Sequence, residues 1–299
     1  MQQYHIPALL CETIEGLNIK SDGTYVDLTF GGAGHSKAIL SELGRAGRLF
    51  SFDQDNDAKV NIIDDKKFCF IHSNFRFLRP QLRLRGVNEV DGILADLGVS
   101  FHHFDEAERG FSYRFDAPLD MRMNQKGSFS AYNVVNEYDH VSLLKIFRDY
   151  GELSMPHKIA SAIERARNLS PITTTFELLE AVNGLANSKT ENKFYAKLFQ
   201  AIRIEVNREM EALKMMLEQG ARTLKSGGVF AIITYHSLED RLVKNFFKFG
   251  NFDSTIESDI YGNTSSIFER AKKPIVASKE ELELNPRARS AKLRIVIKK

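Results

Sequence analysis

The stretch Tyr25-Val26-Asp27-Leu28-Thr29-Phe30-Gly31-Gly32-Ala33-Gly34-His35-Ser36 decides the fold. An apolar, β-prone run ends in a glycine cluster, and residues 37–43 continue with helical character. Strand, tight turn and helix N-terminus, in that order, cradle nucleotide-type cofactors, because glycine allows positive φ and a close backbone approach to a ligand. The spacing is not Gly-x-Gly-x-x-Gly, and no Lys-Ser/Thr follows as a phosphate loop requires. An acid, Asp27, stands four residues before the glycines instead. That arrangement suits a cationic, amino-acid-bearing ligand better than a pyrophosphate. S-adenosylmethionine, with its sulfonium, ammonium and adenosine, has this character, and Asp27 is expected to hold its amino group, with a structural acid bonding turn amides as the alternative.

Working outward, Leu49-Phe50-Ser51-Phe52-Asp53 reads as a short buried strand ending in a carboxylate nineteen residues after Gly34. An acid at the tip of the second strand takes ribose hydroxyls in nucleoside-binding folds; a turn Asp capping the next helix is the structural alternative. Residues 68–72 form a third strand, and residues 90–98 a fourth that runs into a loop. Arg76, Arg79, Arg83 and Arg85 decorate a helix that Pro80 is expected to break. A helix is expected after Asn56. From about residue 108 the strand signal fades and helical periodicity takes over, at 141–149, 155–166 and 175–185. Strand-type sequence returns at 228–235 and again at 292–297. The expected fold is therefore α/β, a doubly wound Rossmann-like sheet interrupted by an inserted helical domain. The expected division is 1–107 for the first part of the sheet domain, 108–200 for the insertion and 201–299 for the second part.

The 299 residues suffice for one large or two modest domains. No apolar run approaches the roughly 18 residues of a membrane span, and residues 1–7 lack a signal-peptide core. Two cysteines without a Cys-x-x-Cys pair argue against a disulfide framework or a zinc site. A cytoplasmic enzyme is the default expectation, with no metal. The net charge of +2 conceals an asymmetry: residues 270–299 carry ten Lys/Arg against three Glu, leaving the rest of the chain acidic. A basic tail on an acidic body points to a polyanionic partner, since each cation placed on a phosphate releases a counterion.

The fourth strand delivers Asp96-Leu97-Gly98-Val99-Ser100 to the carboxyl edge of the sheet, where open α/β sheets bind ligands. Enzymes that methylate exocyclic amines place Asp or Asn there. An amine conjugated to a base ring is a poor nucleophile, and a carboxylate accepting one of its hydrogens favours a pyramidal nitrogen aimed at the methyl group. Leu97-Gly98-Val99 replaces the usual Pro-Pro-aromatic, so the stacking partner has to come from elsewhere, Phe101 or Phe111.

Longer blocks carry a resemblance to the MraW family of bacterial 16S rRNA cytosine-N4 methyltransferases. They are Tyr25-Val26-Asp27 with Gly34-His35-Ser36, Asp91 to Ser100, Glu108-Arg109-Gly110-Phe111-Ser112, Pro118 to Met123, Phe199 to Ile204, His236 to Arg241 and Asn285 to Ser290. The resemblance spans almost the whole chain. It implies a class I methyltransferase fold with S-adenosylmethionine as cofactor and a cytidine in the decoding region of 16S rRNA, within the small ribosomal subunit, as substrate. It also implies cofactor contacts at Ala33, Gly34 and His35, at Asp53, at Phe75 against adenine, at Asp96 and at His103. Three departures stand out, one being Tyr150-Gly151-Glu152-Leu153, which lacks the family's second Glu. Ala33 replaces a usual glycine, which is harmless unless φ is positive there, and Phe101-His102-His103 replaces Ser-Pro-Gln.

Further candidates follow from position and chemistry. His236 is expected beside Asp96 as a catalytic group, with a capped helix start as its structural alternative. Arg109, Arg114 and Arg122 are read as a phosphate-gripping face, and Arg287, Arg289 and Lys292 as a second one in the basic tail. Phe111 and Tyr113 are candidates for stacking on a splayed-out target base. Two other classes compete. A nicotinamide dehydrogenase lacks its glycine fingerprint, and a catalytically weak RNA-binding assembly factor would have no need of Asp27, Asp53, Phe75 and Asp96 together.

Overall fold

The computed structural model describes residues 7–98, 107–253, 266–269 and 272–299. The chain forms two compact units, one made of Met1–Gly98 with Met210–Lys299 and the other of Val99–Glu209. The second junction lies later than the expected 200/201. Helix Glu191–Asn207 puts Leu198, Phe199, Ala201 and Ile202 into the core of the helical unit, so the unit keeps that helix to its end. The first junction comes earlier than 107/108, directly after the fourth strand.

The first unit holds a seven-stranded sheet in the order β3-β2-β1-β4-β5-β7-β6. The strands are β1 Thr24–Asp27, β2 Arg48–Asp53, β3 Phe68–His72, β4 Val90–Asp96, β5 Leu224–Thr234, β6 Ile275–Val276 and β7 Lys292–Ile297. β1 to β5 are mutually parallel, whereas β7 runs antiparallel to both neighbours. Successive residues of a strand face opposite sides, and here both sides are covered, which is why the strands read as continuous apolar runs rather than alternating ones. Phe230 and Ile232 of β5 face one layer with Leu213 and Leu217, while Ala231 and Ile233 face the other with Leu17 and Ile39. Each fully buried Phe or Ile contributes on the order of 2 kcal/mol.

Helices α1 Leu10–Leu17 and α2 Gly34–Glu42 supply one layer. α3 Leu78–Arg83 is on the other side. Pro80 lies in the first turn of α3, where no intrahelical N–H is required, so it helps start this helix rather than break it. After Asn56 there is only a short 3₁₀ turn, Asp57–Asn61, in place of the expected helix.

The helical unit contains α4 Ala131–Glu137, α5 His140–Asp149, α6 Pro156–Arg167, α7 Thr175–Ala181 and α8 Glu191–Asn207. Its own core gathers Leu119, Met121, Val134, Leu143, Phe147, Ile159, Ile163 and Ile202. The chain then re-enters the sheet unit through α9 Glu209–Thr223, followed after β5 by α10 Ser237–Phe249 and, before β7, by α11 Lys279–Leu284. No helix among the described residues is long and apolar enough to cross a membrane.

Candidate active site

The glycine turn is held by its own backbone. Phe30 N donates to Phe52 O (2.8 Å) and Ala33 N to Phe30 O (2.7 Å), while Gly31 N donates to Asp53 Oδ2 (2.8 Å). Gly31 has φ +44° and Ala33 φ +66°, so the one non-glycine in the turn carries the left-handed conformation, at a cost of about 1 kcal/mol. Ala33 is also the N-cap of α2 and brings no side-chain acceptor. Added Cβ atoms at Gly31 and Gly32 would meet nothing within 4 Å, whereas one at Gly34 would strike the Pro7 ring. The turn thus faces open space at its tip and packs tightly at the start of the helix.

Asp27 is committed to the turn. It is 1% exposed, and its Oδ2 accepts from Ser36 Oγ (2.6 Å) and its Oδ1 from Thr29 N (3.1 Å) and Thr29 Oγ1 (3.4 Å). Burial pushes its pKa up against these bonds. This is the structural-acid arrangement rather than the ammonium clamp expected from the sequence. The same Thr29 hydroxyl accepts from Asp96 N (2.7 Å), so β1 and β4 are tied together at their carboxyl ends. Asp53 ends β2 beside the turn, its second oxygen accepting from Asp55 N (2.8 Å). Phe75 begins a 3₁₀ turn after β3 and packs half-buried against the core.

Asp96 ends β4 with its side chain 23% exposed. Tyr235 Oη donates to Asp96 Oδ1 (2.9 Å). Asp96 Oδ2 lies 3.9 Å from His35 Nδ1. His35 is buried, and its Nε2 is 3.2 Å from the Ala8 carbonyl, an acceptor only, so Nε2 carries the proton. Burial lowers the ring's pKa, opposed by the charge of Asp96, and at 3.9 Å Nδ1 makes no hydrogen bond to Oδ2. One oxygen of Asp96 is therefore pinned, and among the described residues no donor reaches the other. Burial, reinforced by the nearby carboxylates of Asp27 and Glu239, pushes the Asp96 pKa up to about 6, against the His35 and Tyr235 interactions. Burial and the charge of Asp96 raise the Tyr235 phenol further out of the neutral range.

Tyr235 was not among the sequence candidates. An aromatic just past a strand looks like ordinary core, and only the pairing of β4 with β5 brings its hydroxyl to Asp96. Its ring also stands beside Gly98, 3.5 Å from where a Cβ would be. An aromatic ring following the neighbouring strand β5 thus lies beside Asp96-Leu97-Gly98. His236, expected next to Asp96, is instead the N-cap of α10: Glu239 N points to its Nδ1 (3.4 Å) and Glu239 Oε1 lies 3.2 Å from its Nε2. No hydrogen bond joins His236 to Asp96 among the described residues. His103 and Phe101 lie outside the described residues.

The candidate RNA-facing residues divide sharply. Arg109 is 5% exposed, donates to the carbonyls of Arg122 (2.8 Å) and Met123 (3.4 Å), and stands over the Phe111 ring. Arg122 forms a two-pronged pair with Asp120, both contacts 2.7 Å. Phe111 is 3% exposed in the helical core, and Tyr113 packs on Tyr195 and Phe199. These four residues build the helical unit, and the expected phosphate grip and base stacking do not fit their positions. Arg114 is exposed. In the tail, Arg287 and Arg289 are exposed, but Lys292 is bound to Asp240 (3.3 Å) together with Arg294 (2.7 Å), which corrects its reading as a free phosphate contact.

A sheet ordered 3-2-1-4-5-7-6 with one antiparallel strand, an open glycine turn after β1 and acids ending β2 and β4 define a class I, Rossmann-like methyltransferase. The chain belongs to the MraW methylase family, which it matches over residues 2–299. It is 55% identical to the Ribosomal RNA small subunit methyltransferase H of Bacteroides thetaiotaomicron over 297 residues, 99% of this chain and 98% of that protein. The enzyme of the same name from Flavobacterium johnsoniae is 55% identical over 296 residues, again 99% and 98% of the two chains. Among solved structures, an rRNA methylase from Streptococcus thermophilus is similar at a TM-score of 0.39 and 11% identity, covering 97% of this chain and 93% of its own.

Proposed function

We propose that this protein transfers a methyl group from S-adenosylmethionine to N4 of a cytidine in the decoding region of 16S rRNA. The observation that carries the reading is Asp96, half-buried at the carboxyl edge with one oxygen held by Tyr235 and the other open. Relatives named as small-subunit rRNA methyltransferases support the class of substrate.

The residues around the turn fit the cofactor. The amides of Gly34, His35 and Ser36 open α2 without a side-chain cap and suit its carboxylate. Asp53 suits the ribose hydroxyls, Phe75 the adenine and the space over Gly31 and Gly32 the backbone-hugging part of the ligand. When bound, S-adenosylmethionine supplies an electrophilic methyl on a sulfonium, with a neutral thioether as leaving group. Asp96 Oδ2 accepts one N4 hydrogen of the cytidine, which turns the nitrogen lone pair out of conjugation and fixes its direction of attack. Tyr235 keeps the carboxylate from rotating. As the N–C bond forms, the amine becomes cationic, and a carboxylate with a raised pKa is suited to take the released proton.

The test is methyl transfer from labelled S-adenosylmethionine to small subunits from cells lacking this gene, with the modified nucleoside identified by mass. N4-methylcytidine, lost in Asp96→Ala, is the expected result. Any other methylated nucleoside would sink the N4 assignment.

A further inference from the structure

We propose that residues 76–85 form an RNA-docking face of the sheet unit, gripping the strand that flanks the target nucleotide. The proposal rests on the reading of rRNA as substrate.

The segment carries Arg76, Arg79, Arg83 and Arg85, and no Asp or Glu occurs between Asp65 and Glu89. Arg83 and Arg85 are exposed, and Arg76 and Arg79 half-buried. None of the four pairs with a carboxylate among the described residues. That sets them apart from Arg122, Arg203, Lys225, Lys292 and Arg294, each of which is neutralised by an acid of its own unit. The Nε atoms of Arg76 and Arg79 are buried and have no acceptor. Their dehydration has been spent without a partner, a cost that an incoming oxyanion would offset.

Between the arginines, Phe77 is 47% and Leu84 79% exposed. Cations interleaved with an exposed aromatic match single-stranded nucleic acid, phosphates to guanidinium and a base to the ring. An acidic protein surface would satisfy the charges but leaves an outward phenyl ring without a role.

The face is also rigid. Asn74 Oδ1 accepts from Arg76 N (2.9 Å), and Gln219 of α9 clamps the segment by accepting from Arg79 N (3.0 Å) and donating to the Arg76 carbonyl. Arg85 is braced on Gln81 through its carbonyl (2.8 Å) and Oε1 (2.9 Å). α9 carries two exposed acids, Glu211 and Glu218, and two exposed cations, Lys214 and Arg222, so the helix that clamps the segment adds no net exposed charge. The segment leaves β3 at the carboxyl edge through Phe75 and returns through α3 to the start of β4, so Arg76 and Phe77 are the members nearest the edge where Asp96 stands.

The experiment compares wild type with the triple variant Arg79→Gln/Arg83→Gln/Arg85→Gln and with the corresponding triple Lys variant. Binding to a labelled 16S rRNA fragment containing the decoding region is measured from 50 to 200 mM salt. S-adenosylmethionine affinity and thermal unfolding are followed in parallel to establish that each variant is folded. The Gln variant should lower the salt slope by about 2, at roughly 0.7 for each lost single-strand phosphate contact, so that wild type's advantage shrinks roughly 20-fold across that range. The Lys variant should keep most of the slope. Phe77→Ala should weaken binding about tenfold with the slope intact.

A folded Gln variant with an unchanged slope overturns the proposal. So does normal affinity for the naked fragment combined with weakened binding to intact small subunits, which would assign the face to a ribosomal protein. A lowered slope in a protein that transfers no methyl to rRNA supports the docking face while removing the enzymatic reading, so the two can fail separately.

Discussion

Asp96 in the sheet unit and Asp120 in the helical unit are the same side chain under opposite treatment. Asp120 accepts two contacts from the Arg122 guanidinium and one from the Arg122 amide (2.9 Å), and these hold its pKa below the usual carboxylate range. Asp96 has one phenol and an imidazole 3.9 Å away, and burial pushes it up to about 6. The helical unit spends its charges on its own fold. The sheet edge keeps an undercompensated one, which costs stability and fits the proposed role of Asp96. The contrast also explains why Arg109 and Arg122, conspicuous as cations in the sequence, are poor candidates for RNA, whereas the unpaired arginines of residues 76–85 are good ones.

Asp96→Asn breaks the comparison at its strongest point. Turnover should fall by about 10³-fold, because an amide accepts poorly and takes no proton. Folding stability should nevertheless rise above pH 6. A carboxylate whose folded pKa is raised penalises the folded state once ionised, by on the order of 2 kcal/mol here. Denaturant unfolding should show that gain at pH 7 and its fading as pH falls through about 6 toward 4. A variant no more stable than wild type at pH 7 would mean that Asp96 is not under strain.

Tyr235→Phe sharpens the contrast. Loss of one charge-assisted hydrogen bond should lower kcat by roughly 10-fold to 100-fold. Because that bond holds the Asp96 pKa down, the acid limb of the pH–rate profile should move to higher pH. A drop in kcat with an unmoved acid limb would leave Tyr235 as packing only.

The smallest effect belongs to the helical unit. Asp120→Asn should destabilise the protein by about 1–2 kcal/mol at pH 7. Asp120 has a lowered folded pKa, so its contribution is present above the unfolded carboxylate range and lost as pH falls below it. Wild type and variant should converge in acid, the reverse of the Asp96 pattern, and a constant gap at pH 3 would contradict the pairing.

How much of this was legible depended on the scale of the interaction. β1 to β4, the glycine turn and the terminal acids Asp53 and Asp96 are written locally, as apolar runs with punctuation. Ala33's left-handed backbone was foreseeable as a condition but not as a fact, since only the closed turn sets φ. Asp27 looked like a ligand because its partner Ser36 reaches it only once α2 is wound, and Thr29 only once the chain turns after β1. Tyr235 was invisible for a deeper reason: its partner lies 139 residues away in sequence. Arg109 misled because charge in a sequence says nothing about burial among carbonyls. β6, two residues long, exists only by pairing with β7 and left no periodicity to read.

The pairing of β4 with β5 has a consequence for how the chain comes into being. The strand that carries Asp96 finds its neighbour only after the entire helical unit has been synthesised, and β5 in turn gains β7 only from the last residues of the polypeptide. The helical unit, contiguous in sequence, can close its core while still emerging. The sheet must wait, with β1 to β4 assembled against an open flank. The hydrogen bond from Tyr235 to Asp96 thus belongs to the final stages of folding, and a nascent chain cut short before β5 has Asp96 without the phenol that holds it.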